Sequence, residues 1–508
     1  AAKLDQLRAG KEFTLTVAAG DLIGGTPFLS GLFNDEPSVE SLNAMKLDVS
    51  SVGNHEFDDG IAELLRMQHG GCHPEDGCYF PDQPFAGADL QWLAANTVNE
   101  ATGETPLPPY WIKRYDNIKV GFIGMTTDET PSLVAQAGIR GYDFLEEAST
   151  ANALVPELKA QGVEAIVVLL HEGATQTPAP GDINGCVGFT GVVAAINAAL
   201  DPEIDVMITG HTHQPYNCRL NDSAGQPRIV TSAYSFGRVV TEVSLVLDKR
   251  AKDVRRDLSS ALNHGVIQSQ LVPDPAVTAV ISKWSALAGS VGGQPVGTIT
   301  TDILRGAALG VENRAIETPA GNLVADAQLW ATTSNGAQLA LMNPGGARTD
   351  LTFASSIAGE GNGVVTYGEA FAFQPFGNLL VTIPMTGAQI AAVLREQCQP
   401  TTSSRPFLHL GVSAGLTYDL SKTITDNKCT GITVSNLELN GEPILPETTY
   451  KVTVNNFLAD GGDNFITFRS VAPSLRVGGG EDLAQLVAFF GANSPVAPPS
   501  TNRVNEID

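Results

Sequence analysis

Six residues with metal-binding side chains stand beside glycines in the first half of the chain. Each offers an oxygen or nitrogen lone pair; they are Asp21, Asn54, His55, His171, His211 and His213. Neutral imidazole, carboxylate and amide oxygen together suit borderline divalent ions such as zinc or manganese. Two such ions, about 3.5–4 Å apart, can activate a water and hold the oxygens of a phosphoryl group. The residue types therefore predict metal-assisted hydrolysis of a phosphoester.

Short apolar runs predict the strands that position these residues. The runs cover residues 13–18, 47–52, 118–123, 165–170 and 205–209, with helical spacing at 61–68 and 151–160 between them. Side chains that follow the strands of one sheet meet at its carboxyl edge, so we expect the six residues to converge in one crevice. The neighbouring glycines allow the tight turns that bring such side chains together.

Each of these residues also has a structural interpretation. A single histidine after a strand is more often structural than a ligand, and a lone Gly-Asp pair carries little information. The run Gly53-Asn54-His55-Glu56 is specific by itself, and four such motifs in this order favour a shared site. The other histidines lack this context and are expected on the surface or in loops; they are His69, His73, His264 and His409.

Length and composition indicate a folded protein of two domains. The 508 residues exceed one ordinary core, and 43% of them are hydrophobic and 17% charged. The formal net charge of −25 argues against a nucleic-acid polymer as partner, because most of the surface would repel it. Small anions can still bind where metals or arginines reverse the local field. No apolar run reaches the roughly 18 residues of a transmembrane helix.

Six cysteines favour disulfides and an oxidising compartment outside the cytoplasm. Pairing each cysteine with its neighbour is the simplest of the possible patterns: 72–78, 186–218 and 398–429. A zinc site of Cys72 and Cys78 with His69 and His73 is the alternative, although the spacing does not suit the usual short-loop zinc sites.

The second half of the chain restarts after a boundary near residues 265–295, which contains a helix-like stretch at 276–288. Helices are predicted at 321–333 and 387–398, and strands at 339–342, 379–384 and 450–455. A more β-rich stretch at 228–247 is expected to complete the first domain.

Polar motifs in the second half surround two arginines and two phenylalanines. Arg314 precedes a Gly-Asn-Leu helix start, and Arg348 ends a glycine-rich loop. Glycine and polar residues flank Phe376 and Phe457. A loop arginine is usually solvated and a phenylalanine usually packs in a core. In these motifs, however, the planar fork of arginine suits phosphate, and an aromatic face can stack on any nucleobase.

Together these motifs resemble the 5'-nucleotidase family, of the bacterial secreted type, over nearly the whole chain. The resemblance implies an α/β protein with an N-terminal four-layer αββα sandwich, the calcineurin-like metallophosphoesterase domain, at residues 1–268. It implies a linker helix at 269–295 and a C-terminal α/β substrate-binding domain at 296–508.

The resemblance also implies two divalent transition-metal ions, zinc or manganese. Their ligands match Asp21, Asn54, His171, His211 and His213. Asp21 would bridge the ions, and His213 would serve the ion that the other three do not. His55 matches the histidine that stabilises the transferring phosphoryl group without binding metal, and Asp58 matches the carboxylate that orients it.

One departure affects the first ion. Family members carry an Asp-x-His motif on a strand before the Gly-Asp segment, whereas no histidine precedes Asp21 here. We therefore expect the sequence as given to lack that strand, which leaves the first metal site incomplete.

On the substrate side, the resemblance implies binding through one set of residues in the second half. These are Arg314, Asn343, Gly346, Arg348, Phe376, Asn378, Phe457 and Asp463. The two arginines would anchor phosphate, the two phenylalanines would enclose the base, and Asp463 would hold ribose hydroxyls.

The expected function is metal-dependent hydrolysis of nucleoside 5'-monophosphates to nucleoside and phosphate outside the cytoplasm, in nucleotide salvage. The substrate would be a small molecule. A nucleotide-sugar or cyclic-nucleotide phosphoesterase, or a phosphatase for non-nucleotide esters, remains an alternative on the same fold. A nucleotide-binding surface protein without turnover is a further alternative, because one metal site is incomplete.

Overall fold

The computed structural model describes residues 1–134, 138–177, 181–289, 291–355 and 359–507. The chain divides into two units. The first comprises Ala1–Gly24 and Phe33–Trp284, and the second comprises Gly25–Leu32 and Ser285–Asp508.

Helices occur in both units. In chain order the described helices are Ala2–Arg8 (α1), Phe28–Gly31 (α2), Glu36–Ala44 (α3), Gly60–His69 (α4), Thr130–Leu133 (α5), Glu147–Ala160 (α6), Val192–Ala199 (α7), Pro275–Ala288 (α8), Pro319–Ala331 (α9), Tyr367–Phe373 (α10), Gly387–Arg395 (α11), Asn456–Ala459 (α12) and Asp482–Asn493 (α13). Side chains fix several starts. Thr366 and Glu369 form a capping box at α10, because each accepts a backbone N–H that the first turn leaves unpaired.

The described strands of the first unit are Val17–Ala19 (β1), Val49–Ser51 (β2), Gln91–Leu93 (β3), Thr97–Asn99 (β4), Tyr110–Tyr115 (β5), Ile118–Thr126 (β6), Tyr142–Phe144 (β7), Ala165–His171 (β8), Val206–Thr209 (β9), Tyr216–Asn221 (β10), Pro227–Ser232 (β11), Val239–Ser244 (β12) and Ser260–Gly265 (β13).

Those of the second unit are Pro295–Thr298 (β14), Leu339–Met342 (β15), Val364–Thr366 (β16), Leu379–Thr386 (β17), Gly411–Val412 (β18), Leu416–Thr425 (β19), Lys428–Leu439 (β20), Glu442–Pro443 (β21), Thr449–Asn455 (β22), Val477–Glu481 (β23) and Val504–Glu506 (β24).

Two sheets form the centre of the first unit. One has the strand order β1-β2-β3 and is parallel; the other has the order β10-β11-β9-β8-β6-β5. In the six-stranded sheet the central strands β11, β9, β8 and β6 are parallel to one another, and each edge strand, β10 or β5, is antiparallel to its neighbour. Since parallel strands end at the same edge of a sheet, β1 with β2, and β8 with β9, present their following residues together.

Helices cover the outer faces of these two sheets. A core that includes Val49, Phe122 and Val167 joins the sheets face to face. A second core packs the six-stranded sheet on α6 and α7, and a third packs the three-stranded sheet on α3 and α4. This arrangement confirms the predicted four-layer αββα fold.

The second unit is built on a five-stranded sheet with the order β18-β15-β22-β17-β23. A four-stranded sheet, β21-β20-β19-β24, shares its main core, which also includes residues of α11. A smaller core lies among α9, α10 and α13. The unit is of mixed α/β type, as predicted.

Three disulfides join neighbouring cysteines: Cys72–Cys78, Cys186–Cys218 and Cys398–Cys429. This confirms the simplest pairing and removes the thiolates that the alternative zinc site required. Within the described residues, no helix is both long and apolar enough to cross a membrane.

His409 lies outside the helices and strands, in agreement with the loop alternative of the prediction, but it is buried and not on the surface. Its side chain is 2% exposed, in the core segment after Phe407, and Nδ1 donates to the carbonyl oxygen of Leu410 at 2.9 Å. Burial lowers the pKa of His409 to about 4. In the described structure Nε2 has no hydrogen-bond partner, so this ring is held neutral in an apolar setting.

Acid should therefore destabilise the second unit through His409. Between pH 6.5 and 4 the unfolded chain binds a proton that the folded chain does not, so the free energy of unfolding falls as the pH falls. Between pH 7 and 4.5 the loss is about 2–3 kcal/mol larger for the native chain than for His409→Asn, which keeps a donor and does not titrate. Urea titrations of both proteins at the two pH values measure the loss in the free energy of unfolding. Equal losses in the native chain and the variant would contradict the assignment.

Candidate functional site

Four side chains from four strand ends converge in the first unit. His171 Nε2 lies 3.1 Å from Asp21 Oδ2 and 3.2 Å from Asn54 Oδ1. Asn54 Oδ1 also lies 3.1 Å from His211 Nδ1. Asp21 follows β1, Asn54 follows β2, His171 ends β8 and His211 follows β9. The sheet edges thus bring together four of the six residues that the sequence predicted would meet.

The donor set fits a divalent ion. His171 Nδ1 lies 2.7 Å from the carbonyl oxygen of Ala19, which can only accept, so Nδ1 carries a proton and Nε2 faces Asp21 and Asn54. A divalent ion bound there would replace the proton that Nε2 carries when the ring is charged. Ligand atoms of Asp21, His171 and His211 all lie within 4.8 Å of one another. Carboxylate, amide and imidazole around one point suit zinc or manganese.

The charges of the site favour a cation at that point. Burial alone would lower the pKa of His171, but the Asp21 carboxylate raises it to about 9. Burial would likewise raise the pKa of Asp21, whereas His171 and His55 hold it well below its usual value. Each shift has the same cause, which is the attraction between a buried carboxylate and positive charge beside it.

Close backbone approach explains the glycines beside the ligands. A Cβ atom on Gly20 would lie 2.5 Å from the backbone nitrogen of Gly53, and one on Gly53 would lie 2.4 Å from Asp21 Oδ1. Asp21 and His211 themselves have positive φ angles of 56° and 63°. Such strain in residues other than glycine is typical of functional sites, where surrounding contacts hold it.

Glu56 supplies some of those contacts. Its buried carboxylate accepts the backbone N–H groups of Asp21 at 2.8 Å and Leu22 at 2.7 Å, and that of Gly53. It therefore ties the turn after β1 to the turn after β2. Burial, and then the charge of Asp21, raise the pKa of Glu56 to about 7.

His55 and Asp58 lie against the same group. His55 Nδ1 is 2.7 Å from Asp58 Oδ2, and the His55 backbone N–H donates to Asp21 Oδ1 at 3.0 Å. The short helical turn His55–Phe57 sets this spacing. The carboxylate of Asp58 thereby fixes the orientation of the imidazole, as expected of an orienting residue.

His213 lies outside the group of ligand atoms described above, as far as the described residues show. It has a positive φ of 54°, and its ring packs edge-on against Phe236 with centroids 5.7 Å apart. Its role as a ligand of a second ion stays a prediction.

Charged side chains gather in the second unit around Glu312. Arg314 Nε donates to Glu312 Oε1 at 2.9 Å. Burial would raise the pKa of Glu312, but Arg314, Arg405 and Arg348 lower it to about 2. Burial, and then Arg314, lower the pKa of Arg405 to about 10. Like charges are thus held close together, as they are where an anion is to bind.

The predicted nucleoside residues adjoin these arginines. The guanidinium of Arg348 lies 5.6 Å from the centroid of the Phe376 ring. Asn343 Nδ2 donates to Asp463 Oδ2 at 3.3 Å, and the pKa of Asp463 is raised by burial although Arg314 opposes this. These contacts bring Asn343, Arg314, Arg348 and Asp463 into one region.

Three further predicted residues shape the segments around that region. A Cβ atom on Gly346 would lie 3.3 Å from Asn343 Oδ1 and closer still to the end of the Met342 side chain, so a larger residue there would displace the methionine. One on Gly462 would lie 2.4 Å from the Phe457 ring. The carbonyl oxygen of Asn378 accepts the backbone N–H of Asp482 at the start of α13.

Sequence reasoning missed Glu56, Glu312 and Arg405 as functional candidates. Glu56 is the last residue of the run Gly53-Asn54-His55-Glu56, and this order was the signal that could have identified it. Glu312 and Arg405 lie in no motif. Their signal was weak, because a single charged residue in a loop is usually solvated, and only the folded chain brings Arg405 to Arg314.

Two family models match the chain, one in each half. Residues 1–215 match the family model described as calcineurin-like phosphoesterase, and residues 295–470 match the 5'-nucleotidase C-terminal domain. A solved structure of a 5'-nucleotidase precursor from Thermus thermophilus has a TM-score of 0.78 with 23% identity, covering 100% of this chain and 92% of that one.

Two curated relatives are more similar in sequence. Endonuclease YhcR of Bacillus subtilis is 33% identical over 506 residues, which cover 99% of this chain and 38% of the relative. Cell wall protein Lmo0130 of Listeria monocytogenes is 34% identical over 467 residues, covering 90% and 57% respectively. The chain therefore spans well under two thirds of the length of either relative.

Removing the charge of Glu56 should weaken metal binding. In Glu56→Gln an amide N–H₂ faces backbone N–H groups, so the turns that carry Asp21 and Asn54 lose their tie. We expect the Kd for Mn²⁺ to rise about 10–100-fold, as for other residues that orient ligands. Isothermal titration calorimetry on chelator-treated protein measures this. Glu75→Gln, at an exposed glutamate of the same unit, is the control; equal affinities of the two variants would contradict the role.

Proposed function

Because the chain belongs to the 5'-nucleotidase family, with its calcineurin-like phosphoesterase domain and its 5'-nucleotidase C-terminal domain, we propose that it hydrolyses nucleoside 5'-monophosphates to nucleoside and phosphate. The observation that carries the proposal is that Asp21 Oδ2 and Asn54 Oδ1 both lie 3.1–3.2 Å from His171 Nε2, with His211 beside them. Carboxylate, amide and imidazole groups collected in one buried crevice form a donor set that suits a divalent ion.

The ion ligands in this proposal are Asp21, Asn54, His171 and His211, and His213 serves a second ion. When bound, a divalent ion supplies Lewis acidity to a phosphoryl oxygen and to the attacking water. The buried carboxylate of Asp21 balances part of that positive charge. His171 is kept in the correct tautomer by Ala19.

His55, oriented by Asp58, acts on the phosphoryl group directly. Negative charge develops on the phosphoryl and leaving oxygens as the ester bond breaks, and a donor placed beforehand stabilises it. Asp58, 2.7 Å from His55 Nδ1, fixes the orientation and the tautomer of the ring. His55 therefore carries a proton on Nε2, or gives it to a substrate oxygen, without rotating out of place.

The arginines and aromatic rings of the second unit bind the nucleotide. Arg314, Arg348 and Arg405 offer forked donors to an anion in a chain whose formal charge is −25. Phe376 and Phe457 hold the base by stacking, and Asp463 and Asn378 select the sugar and base edges. Stacking tolerates every base, so base preference is expected to be weak.

A phosphodiester substrate is the second candidate function. The relative from Bacillus subtilis is named an endonuclease and matches 99% of this chain. An endonuclease breaks one ester bond of a phosphodiester, which the same ligands can catalyse. The net charge of −25 weighs against long polymers and favours short substrates.

The proposed location is outside the cytoplasm, as expected of salvage of extracellular nucleotides. Three disulfides persist only in an oxidising compartment. A relative with 34% identity is named a cell wall protein, which supports the same location.

Removing one base-stacking ring tests the nucleotide assignment. Phe457→Ala should raise the KM for AMP about tenfold, because stacking contributes about 1–3 kcal/mol per base. The KM for ribose 5-phosphate, which has no base, should change less than about twofold. Phosphate release in the presence of Mn²⁺ or Zn²⁺ measures both.

Phe353→Ala, at an exposed ring of the same unit, is the matched control. Equal losses on the two substrates would favour a phosphatase for non-nucleotide esters. Tight binding of AMP without phosphate release, in a chain loaded with metal, would instead identify a binding protein.

A further inference from the structure

An exposed aromatic and cationic cluster stands beside the site in the first unit. In the loop from β11 to β12, the guanidinium of Arg238 lies 5.1 Å from the Tyr234 ring centroid and 5.3 Å from that of Phe236. Phe236 is 63% exposed and Tyr234 is 39% exposed. The three side chains form one surface, called here the Tyr234–Arg238 platform. The roles assigned above to His55, Asp58 and the metal ligands do not use it.

The backbone holds this platform in an unfavourable conformation. Phe236 and Gly237 have φ angles of +56° and +66°, and the Arg238 N–H donates to the Ser235 carbonyl oxygen at 3.2 Å, which closes a tight turn. Positive φ at both central residues is typical of a type I′ turn, which prefers asparagine and glycine. A bulky side chain there is an outlier. This turn leaves the phenyl ring of Phe236 exposed to solvent.

The platform adjoins the ion ligands. The Phe236 ring packs edge-on against His213 with centroids 5.7 Å apart, and His213 is two residues from His211. Val266 N–H donates to the Arg238 carbonyl oxygen at 2.8 Å, so the residue that follows β13 anchors the turn. Phe236 therefore contacts the histidine that follows His211 by two residues, which places the platform on the same loop side of the first unit as that candidate ligand.

An aromatic face beside a guanidinium is the chemistry that binds a nucleobase by stacking. A nucleoside monophosphate carries one organic group on phosphorus, whereas a phosphodiester carries two. We propose that the Tyr234–Arg238 platform binds the base of the second nucleoside of a phosphodiester, so that short dinucleoside phosphates are substrates of this site. This inference rests on the proposed phosphoesterase function and extends its substrate class.

The reaction is balanced by water alone. A water oxygen forms a bond to phosphorus, one P–O ester bond breaks, and the leaving sugar oxygen takes a proton. The products are a nucleoside and a nucleoside monophosphate. Arg238, as a positive charge on an acidic protein, also attracts the anionic diester.

Two diesters of AMP test the platform: one carries a second nucleoside, and the other carries a methyl group in its place. The substrates are adenylyl adenosine and the methyl ester of AMP, with AMP measured in parallel. In the native protein kcat/KM is higher for the dinucleoside phosphate than for the methyl ester. In Phe236→Ala and in Arg238→Ala the ratio of the two values falls about tenfold, the effect of losing one stacking contact. Phe236→Trp restores it.

Two controls separate stacking from folding. Phe236→Gly removes the ring and relieves the positive φ, so it keeps the thermal midpoint while the ratio falls. Phe13→Ala removes a 52% exposed ring of the same unit, paired with Tyr115, and leaves the ratio unchanged.

The outcomes distinguish this inference from the proposed function. An unchanged ratio in all platform variants, or hydrolysis of AMP without hydrolysis of adenylyl adenosine, overturns the inference alone. No hydrolysis of any of the three substrates by the metal-loaded protein overturns the proposed function.

Discussion

The contact between the Asp21 carboxylate and the His171 imidazole, 3.1 Å apart in a buried crevice, is the interaction on which the first unit depends. Two sheets must meet face to face for β1 and β8 to deliver these residues to one point. Glu56 ties the turn after β1 to the turn after β2, and Gly20 and Gly53 allow the backbones of these two turns to touch. Backbone strain at Asp21 and His211 costs about 1–3 kcal/mol each, which the surrounding core offsets.

Much of this could be predicted from the sequence because it has short-range signals. Apolar runs indicated the strands: residues 165–170 and 339–342 correspond to Ala165–His171 and Leu339–Met342. The first strand is shorter than predicted, Val17–Ala19 in place of 13–18, since Phe13 is exposed and pairs with Tyr115 outside the core. The candidate ligands could be predicted because each ends or follows a strand and most of them adjoin glycine, and the family resemblance supplied the second unit's motifs.

The remaining features depend on contacts between distant segments. Nothing in the neighbourhood of Arg405 distinguishes it from a solvated arginine, and only folding places it beside Arg314 and Glu312. His409 lies in a loop, as its sequence context indicated, but that loop is buried in the second unit, and burial keeps the ring neutral. The strained turn at Phe236 follows from a backbone angle that composition does not encode.

The central claim is that Asp21, Asn54, His171 and His211 together hold a divalent ion. Titration of chelator-treated protein with Co²⁺, followed by visible absorption, tests it most directly, because d–d bands change in position and intensity when protein ligands replace water. We predict saturable bands in the native chain and at least about tenfold weaker binding in Asn54→Ala and in His171→Ala. Native spectra without such bands, or equal affinity in the variants, would contradict the account.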